Sequence, residues 1–96
     1  MLERDYQAKV IKRLKQTFPG SIILKNDAKL KQGIPDLLIL FKDKWASLEV
    51  KASGKAKHRP NQDYNVERMN DMSYAAFIYP ENEEIIFSKL EEVLNS

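Results

Sequence analysis

Apolar and polar positions alternate along the chain in stretches that change period several times. Residues 3–17 follow a helical period: Tyr6, Val10, Ile11 and Leu14 recur at spacings of three and four, with Arg4, Lys12, Arg13 and Lys15 largely elsewhere. Pro19-Gly20 stops this helix, and Ser21–Lys25 reads as a short strand. A polar loop ends at Gly33-Ile34-Pro35, and Asp36–Phe41 follows as an apolar run on both parities, the pattern of a strand covered on both faces. Lys42-Asp43-Lys44 predicts a hairpin turn into a strand over Trp45–Ala52.

A basic loop, "SGKAKHR" at 53–59, leads to Pro60, which suits the first position of a helix running to about Met72. Tyr74–Tyr79 and Glu84–Phe87 read as strands. Ser88-Lys89-Leu90-Glu91 matches a capping box opening a last helix. The predicted order is helix, three strands, helix, one or two strands, helix. This is one α/β domain over residues 1–96, with a mixed sheet and flanking helices.

Composition narrows the chemistry. With no cysteine and a single histidine, His58, neither a disulfide framework nor a multi-histidine zinc site is available. No apolar run is long enough to cross a bilayer, and the first residues lack the apolar core of a signal peptide, so the expected setting is the cytoplasm. The net charge of +2 conceals an asymmetry: residues 1–60 carry a net +8, and residues 61–96 a net −6. A basic face for a polyanion and an ordinary division of solvated charge both fit that pattern.

Candidate chemistry concentrates on the predicted hairpin. By strand alternation, Trp45, Ser47, Glu49 and Lys51 share one face, and Ala46, Leu48, Val50 and Ala52 form a wholly apolar back. Pairing about the turn puts Asp36 roughly opposite Val50 and so within a residue of Glu49. Asp36 could be turn punctuation, and Glu49 with Lys51 a chance pair on an exposed edge. Two acids converging on a buried sheet would instead repel and lose hydration. A hard cation, Mg²⁺ or Mn²⁺, would relieve both costs with oxygen ligands and retained water. Lys51 could then hold a water or stabilise a phosphorane, giving a two-acid, one-lysine site for metal-assisted phosphodiester hydrolysis. Glu3 heads the apolar stripe of the first helix, toward the sheet, or else simply complements the helix dipole. Gln62 aligns with Val66 and Met69 and is expected to face inward, where it could pack or bind a water or phosphate.

"GIPDLLIL" followed, after twelve residues between Asp36 and Glu49, by "LEVKAS", with Glu3 upstream and Gln62 in "RPNQDYNVERM", resembles the PD-(D/E)xK nuclease superfamily. Within it the chain looks like the small stand-alone, phage-type form of the VRR-NUC (virus-type replication-repair nuclease) family. Tyr64 and Asn65 depart from that pattern by making the helix start more polar.

The resemblance implies a restriction-endonuclease-like αβββαβ core, with Mg²⁺ (or Mn²⁺) on Asp36, Glu49 and the carbonyl of Val50, and Glu3 nearby. Lys51 would be catalytic, supported by Gln62, and no small-molecule cofactor is implied. It further implies a homodimer that cuts branched DNA such as four-way (Holliday) junctions, in a bacterial host's cytoplasm if phage-encoded. Lys29, Lys31, Lys55, Lys57, His58 and Arg59 flank the site on two loops and are the expected phosphate contacts, while the five glutamates of residues 81–92 should face away from DNA. Tyr74, Phe77 and Tyr79 are expected to be exposed and to support a dimer. A nicking or flap-type nuclease of the same fold, or a non-catalytic nucleic-acid-binding module, are the alternative functions.

Overall fold

The computed structural model describes residues 1–27 and 29–96. Helix α1 (Glu3–Thr17) leads to strand β1 (Ile22–Lys25), then β2 (Leu37–Phe41), β3 (Lys44–Val50), helix α2 (Gln62–Met72), strand β4 (Tyr74–Ile78) and helix α3 (Glu83–Leu94). The strands form one mixed sheet in the order β1-β2-β3-β4, antiparallel except for the parallel pair β3 and β4. The expected αβββαβ order with flanking helices is thus present.

Alternation along the strands divides the sheet into two unlike faces. Leu37, Ile39, Ala46, Leu48, Val50 and Ile78 pack on one side with Tyr6, Val10 and Leu14 of α1 and Ile86, Phe87, Leu90 and Leu94 of α3. The other side carries Ser47, Glu49 and Ala75 beneath α2, whose Gln62, Asn65 and Val66 are buried. β3 lies between two neighbours with a helix over each face, so the side of Glu49 is covered, and the exposed-edge reading of that face does not hold. β2 is less enclosed than expected: Leu38 and Leu40 are only half-buried.

Among the boundaries that differ from the sequence reading, such as β3 ending at Val50 instead of Ala52, three have a local reason. The β2–β3 turn has two residues, Lys42 and Asp43, with Phe41 paired to Lys44 and Lys42 in the left-handed region at φ 58°. Lysine gives no outward sign of that conformation, which favours glycine or asparagine. Helix α2 begins at Gln62 because Asn61 takes φ 70°, outside helical geometry.

The segment 84–87 is helical, not a strand, and Ser88 lies inside α3. A short 3₁₀ turn at Pro80–Asn82 redirects the chain first. There the Asn82 amide donates to the Phe77 carbonyl, and its side-chain oxygen accepts from the Tyr79 N–H. Arg13 then fastens α3 to α1 through Glu83 and Glu84, and Tyr6 Oη donates to Glu83 Oε1 at 2.7 Å. Glu81 accepts from the Gly54 N–H on the basic loop, and Glu92 pairs with Lys89, so four of the five acidic residues of 81–92 are engaged within the fold.

Leu48 is fully buried at the centre of the α1/α3 face. Leu48→Ala is expected to lower unfolding stability by about 2–5 kcal/mol, read as a lower urea midpoint. A loss below about 1 kcal/mol would contradict this packing.

Candidate active site

The site forms where the β2–β3 ladder ends. Leu37 pairs with Leu48, so the same register carried one step back sets Asp36 opposite Glu49 and Pro35 opposite Val50. The ladder does not continue through the main chain there. The Val50 N–H donates to Asp36 Oδ2 at 3.0 Å, and the Pro35 carbonyl accepts from Asn26 Nδ2 at 2.5 Å. In an antiparallel ladder a residue's N–H and C=O point to the same edge. The Val50 carbonyl therefore points toward Asp36, and Pro35, in register across from it, has no N–H to offer.

Gly33 makes this approach possible. It sits at φ +85°, and a Cβ there would lie 2.9 Å from Asn61 Cβ and 3.0 Å from Asn65 Nδ2. The loop into Asp36 thus passes directly against the start of α2.

Glu49, on β3, and Lys51, just past its end, point toward α2. They are 2% and 4% exposed. Lys51 Nζ lies 3.7 Å from Glu49 Oε2 and donates to the Lys57 carbonyl at 3.2 Å, which ties the basic loop to the site by its backbone. Gln62 does face inward, as its spacing suggested, and its partner is an acid. Gln62 Nε2 donates to Glu49 Oε2 at 3.0 Å, and Gln62 Oε1 accepts from the Arg59 N–H at 2.8 Å.

Glu49 Oε1 is buried with no hydrogen-bond partner. Burial, and next the repulsion of the Asp36 carboxylate, push the Glu49 carboxyl up to about 8 against the pull of Lys51. The two carboxyl groups lie close enough to share a hydrogen bond when one is protonated.

Glu3 is exposed on the first turn of α1, so the expectation that it faces the sheet is corrected: the helix terminus leaves it in water. It remains near enough for its charge to add to the repulsion felt by Glu49. Among the described residues no three His, Cys, Asp or Glu side chains gather in metal-binding geometry. An ion held here would draw on Asp36, the free oxygen of Glu49, the Val50 carbonyl and water. That set suits a hard divalent cation.

Lys29, Lys31, Lys55, Lys57, His58 and Arg59 are all exposed on the two loops beside the site. His58 is less free than the lysines, since its Nδ1 lies 2.7 Å from Asp63 Oδ1 and its ring stacks on Phe77 at 4.0 Å. The expectation of exposed aromatics fails for Tyr74, Phe77 and Tyr79, which are half-buried. Phe77 lies under His58, and Tyr79 packs beside Gly54. Asn26 and Asn61, which shape the entry of Asp36 and the start of α2, went unflagged because no spacing connects either to the acids.

The raised Glu49 pKa fixes the sign of a pH effect. The unfolded chain ionises this carboxyl near 4.5, and the fold keeps it protonated to about 8. Its contribution to stability is complete below pH 4.5 and is lost as pH rises through 8, amounting to roughly a few kcal/mol. In EDTA, the melting temperature should fall further between pH 5 and pH 8.5 for the wild type than for Glu49→Gln, which keeps an acceptor for Gln62. Identical pH profiles would contradict the burial of this acid.

No protein-family model matches the sequence, and no curated protein matches it. Among solved structures, the chain is similar to a protein described as "VRR_NUC domain protein", with a TM-score of 0.70 and 18% identity over 97% of this chain and 90% of that one. The αβββαβ arrangement that presents Asp36, Glu49 and Lys51 at one end of the sheet is thus the fold of a VRR_NUC domain.

Proposed function

We propose that this chain is a VRR-NUC-type, divalent-metal-dependent DNA endonuclease that hydrolyses phosphodiesters at the Asp36–Glu49–Lys51 centre. The observation that carries the reading is a buried Glu49 with one donorless oxygen, crowded by the Asp36 carboxyl, and with a lysine ammonium 3.7 Å from the same acid. A fold of nuclease type and two basic loops at the site support it. Asp36, Glu49 and the Val50 carbonyl would hold Mg²⁺ or Mn²⁺, and Glu3 would contribute through water. The ion would supply charge neutralisation and acidify a bound water.

The chain's own residues do the rest. Gln62 fixes the orientation of Glu49 through Oε2, leaving Oε1 free. The Lys57 carbonyl and Glu49 hold Lys51 at the centre, where its ammonium would stabilise charge developing on the phosphate. The loop cations would neutralise flanking phosphates without reading sequence.

Branched DNA, such as a four-way junction, is the substrate class this reading favours, cut by a homodimer that sets two centres on one molecule. The half-buried Tyr74, Phe77 and Tyr79 do not supply the dimer contact. Ile22 and Leu24 on edge strand β1 are among the exposed apolar residues that could supply one, with Leu30, Met72 and Ile85 exposed elsewhere.

The test is cleavage of labelled four-way junction, flap and linear duplex in Mg²⁺ or Mn²⁺. Asp36→Asn and Glu49→Gln should each lower the rate by a hundredfold or more, on the order expected for removing a charge-stabilising group. Lys51→Ala should lose turnover while still binding metal. No cleavage of any substrate, with DNA binding retained, would leave a binding module instead, and equal rates on junction and duplex would overturn the junction preference alone.

A further inference from the structure

Beside the active centre, the loop that ends at Asp36 and the outer side of α2 enclose a cavity of about 320 Å³. Its volume falls in the range of small-ligand pockets, roughly 300–1,000 Å³. Ile34 and Met69 give it apolar walls. At its rim stand Lys31, Tyr64 and Arg68. Tyr64 is 59% exposed, and the Arg68 guanidinium lies 6.0 Å from its ring centre, with Nη1 3.4 Å from the hydroxyl, so the two side chains form one wall.

The fourth feature is Asn65. It lines the cavity and is only 6% exposed, yet among the described residues no hydrogen bond engages its side-chain amide. Such an amide offers one donor group and one acceptor group to whatever enters.

We propose that this pocket takes one unstacked nucleobase of the DNA substrate. The proposal rests on the nuclease reading only for the identity of the polymer. A planar base would stack on Tyr64 and the Arg68 guanidinium, as bases of single strands and flipped nucleotides stack on aromatic and arginine faces. Asn65 would pair with the edge of the base, since its donor and acceptor match the mixed edges of nucleobases. Lys31 and Arg68 would neutralise the adjoining phosphates.

The pocket's place supports the assignment. Ile34 is two residues before Asp36, and Asn65 is one helical turn beyond Gln62, which holds Glu49. An unpaired nucleotide bound here would therefore lie next to the phosphate presented to Asp36, Glu49 and Lys51. Continuous duplex keeps its bases stacked and could not fill the pocket, so substrates with unpaired nucleotides beside the cut would be preferred.

The experiment is equilibrium binding by fluorescence anisotropy in EDTA, with a blunt two-strand DNA duplex carrying a short internal run of unpaired nucleotides and its fully paired counterpart. Tyr64→Ala should weaken binding to the unpaired substrate about tenfold, in line with the loss of one base–aromatic stack. Tyr64→Phe, which keeps the ring, and the fully paired duplex with either variant should change by less than about twofold. Equal weakening on both duplexes, or no weakening on either, overturns the pocket. A wild type that cleaves in Mg²⁺ without this Tyr64 dependence overturns the pocket alone. One that shows the dependence and never cleaves overturns the nuclease reading alone.

Discussion

A carboxyl taken out of water must be met by donors or a cation or else stay protonated, and Glu49 is met by donors on one oxygen only. Gln62 and Lys51 both address Oε2, while Oε1 lies buried with nothing donated to it and the Asp36 carboxyl is close to the same acid. The fold keeps the acid in that position. The opposite face of β3 is locked into the α1/α3 core through Leu48 and Val50, so the strand cannot turn Glu49 outward. α2 closes over it from above, beginning at Gln62 because Asn61 leaves helical geometry there.

Asp36 has two parts in this arrangement. Its carboxylate replaces the main-chain acceptor that the ladder would have offered Val50, which ends the β2–β3 pairing at the site. It also raises the charge repulsion on Glu49. Pro35 and Gly33 make both possible, one by withholding an N–H opposite Val50 and the other by letting the loop graze α2. Rigid support behind two crowded carboxylates is the preorganisation that metal-assisted hydrolysis requires. The proposed ion would find its oxygen ligands already fixed.

Much of this was legible in the sequence, and the rest fails in identifiable ways. The hairpin could be read because an apolar run and an alternating run flank a short polar turn, and that alone brought Asp36 to Glu49. The register was off by one residue because Lys42 hides a left-handed turn. The burial of the Glu49 face stays one of two readings in the sequence, because β4, added parallel after a crossover, leaves no local mark on β3. Glu3 lies on the apolar stripe by spacing, but it is the first residue of α1 and is exposed. Glu84–Phe87 reads equally as strand or helix over four residues. The contact of Arg13 with Glu83 and Glu84, seventy residues away in sequence, belongs to the helical outcome. Tyr64 and Asn65 stood out only as unusually polar for their helix, and their pocket exists because a distant loop folds against them.

The central claim is that Asp36 and Glu49 together hold a divalent ion. Titration of the protein with Mn²⁺ at pH 8, followed by electron paramagnetic resonance of the free ion, measures this without DNA or turnover. The account predicts saturable uptake of about one or more Mn²⁺ per chain, abolished in Asp36→Asn and in Glu49→Gln. Uptake by the wild type no greater than by those two variants would contradict it.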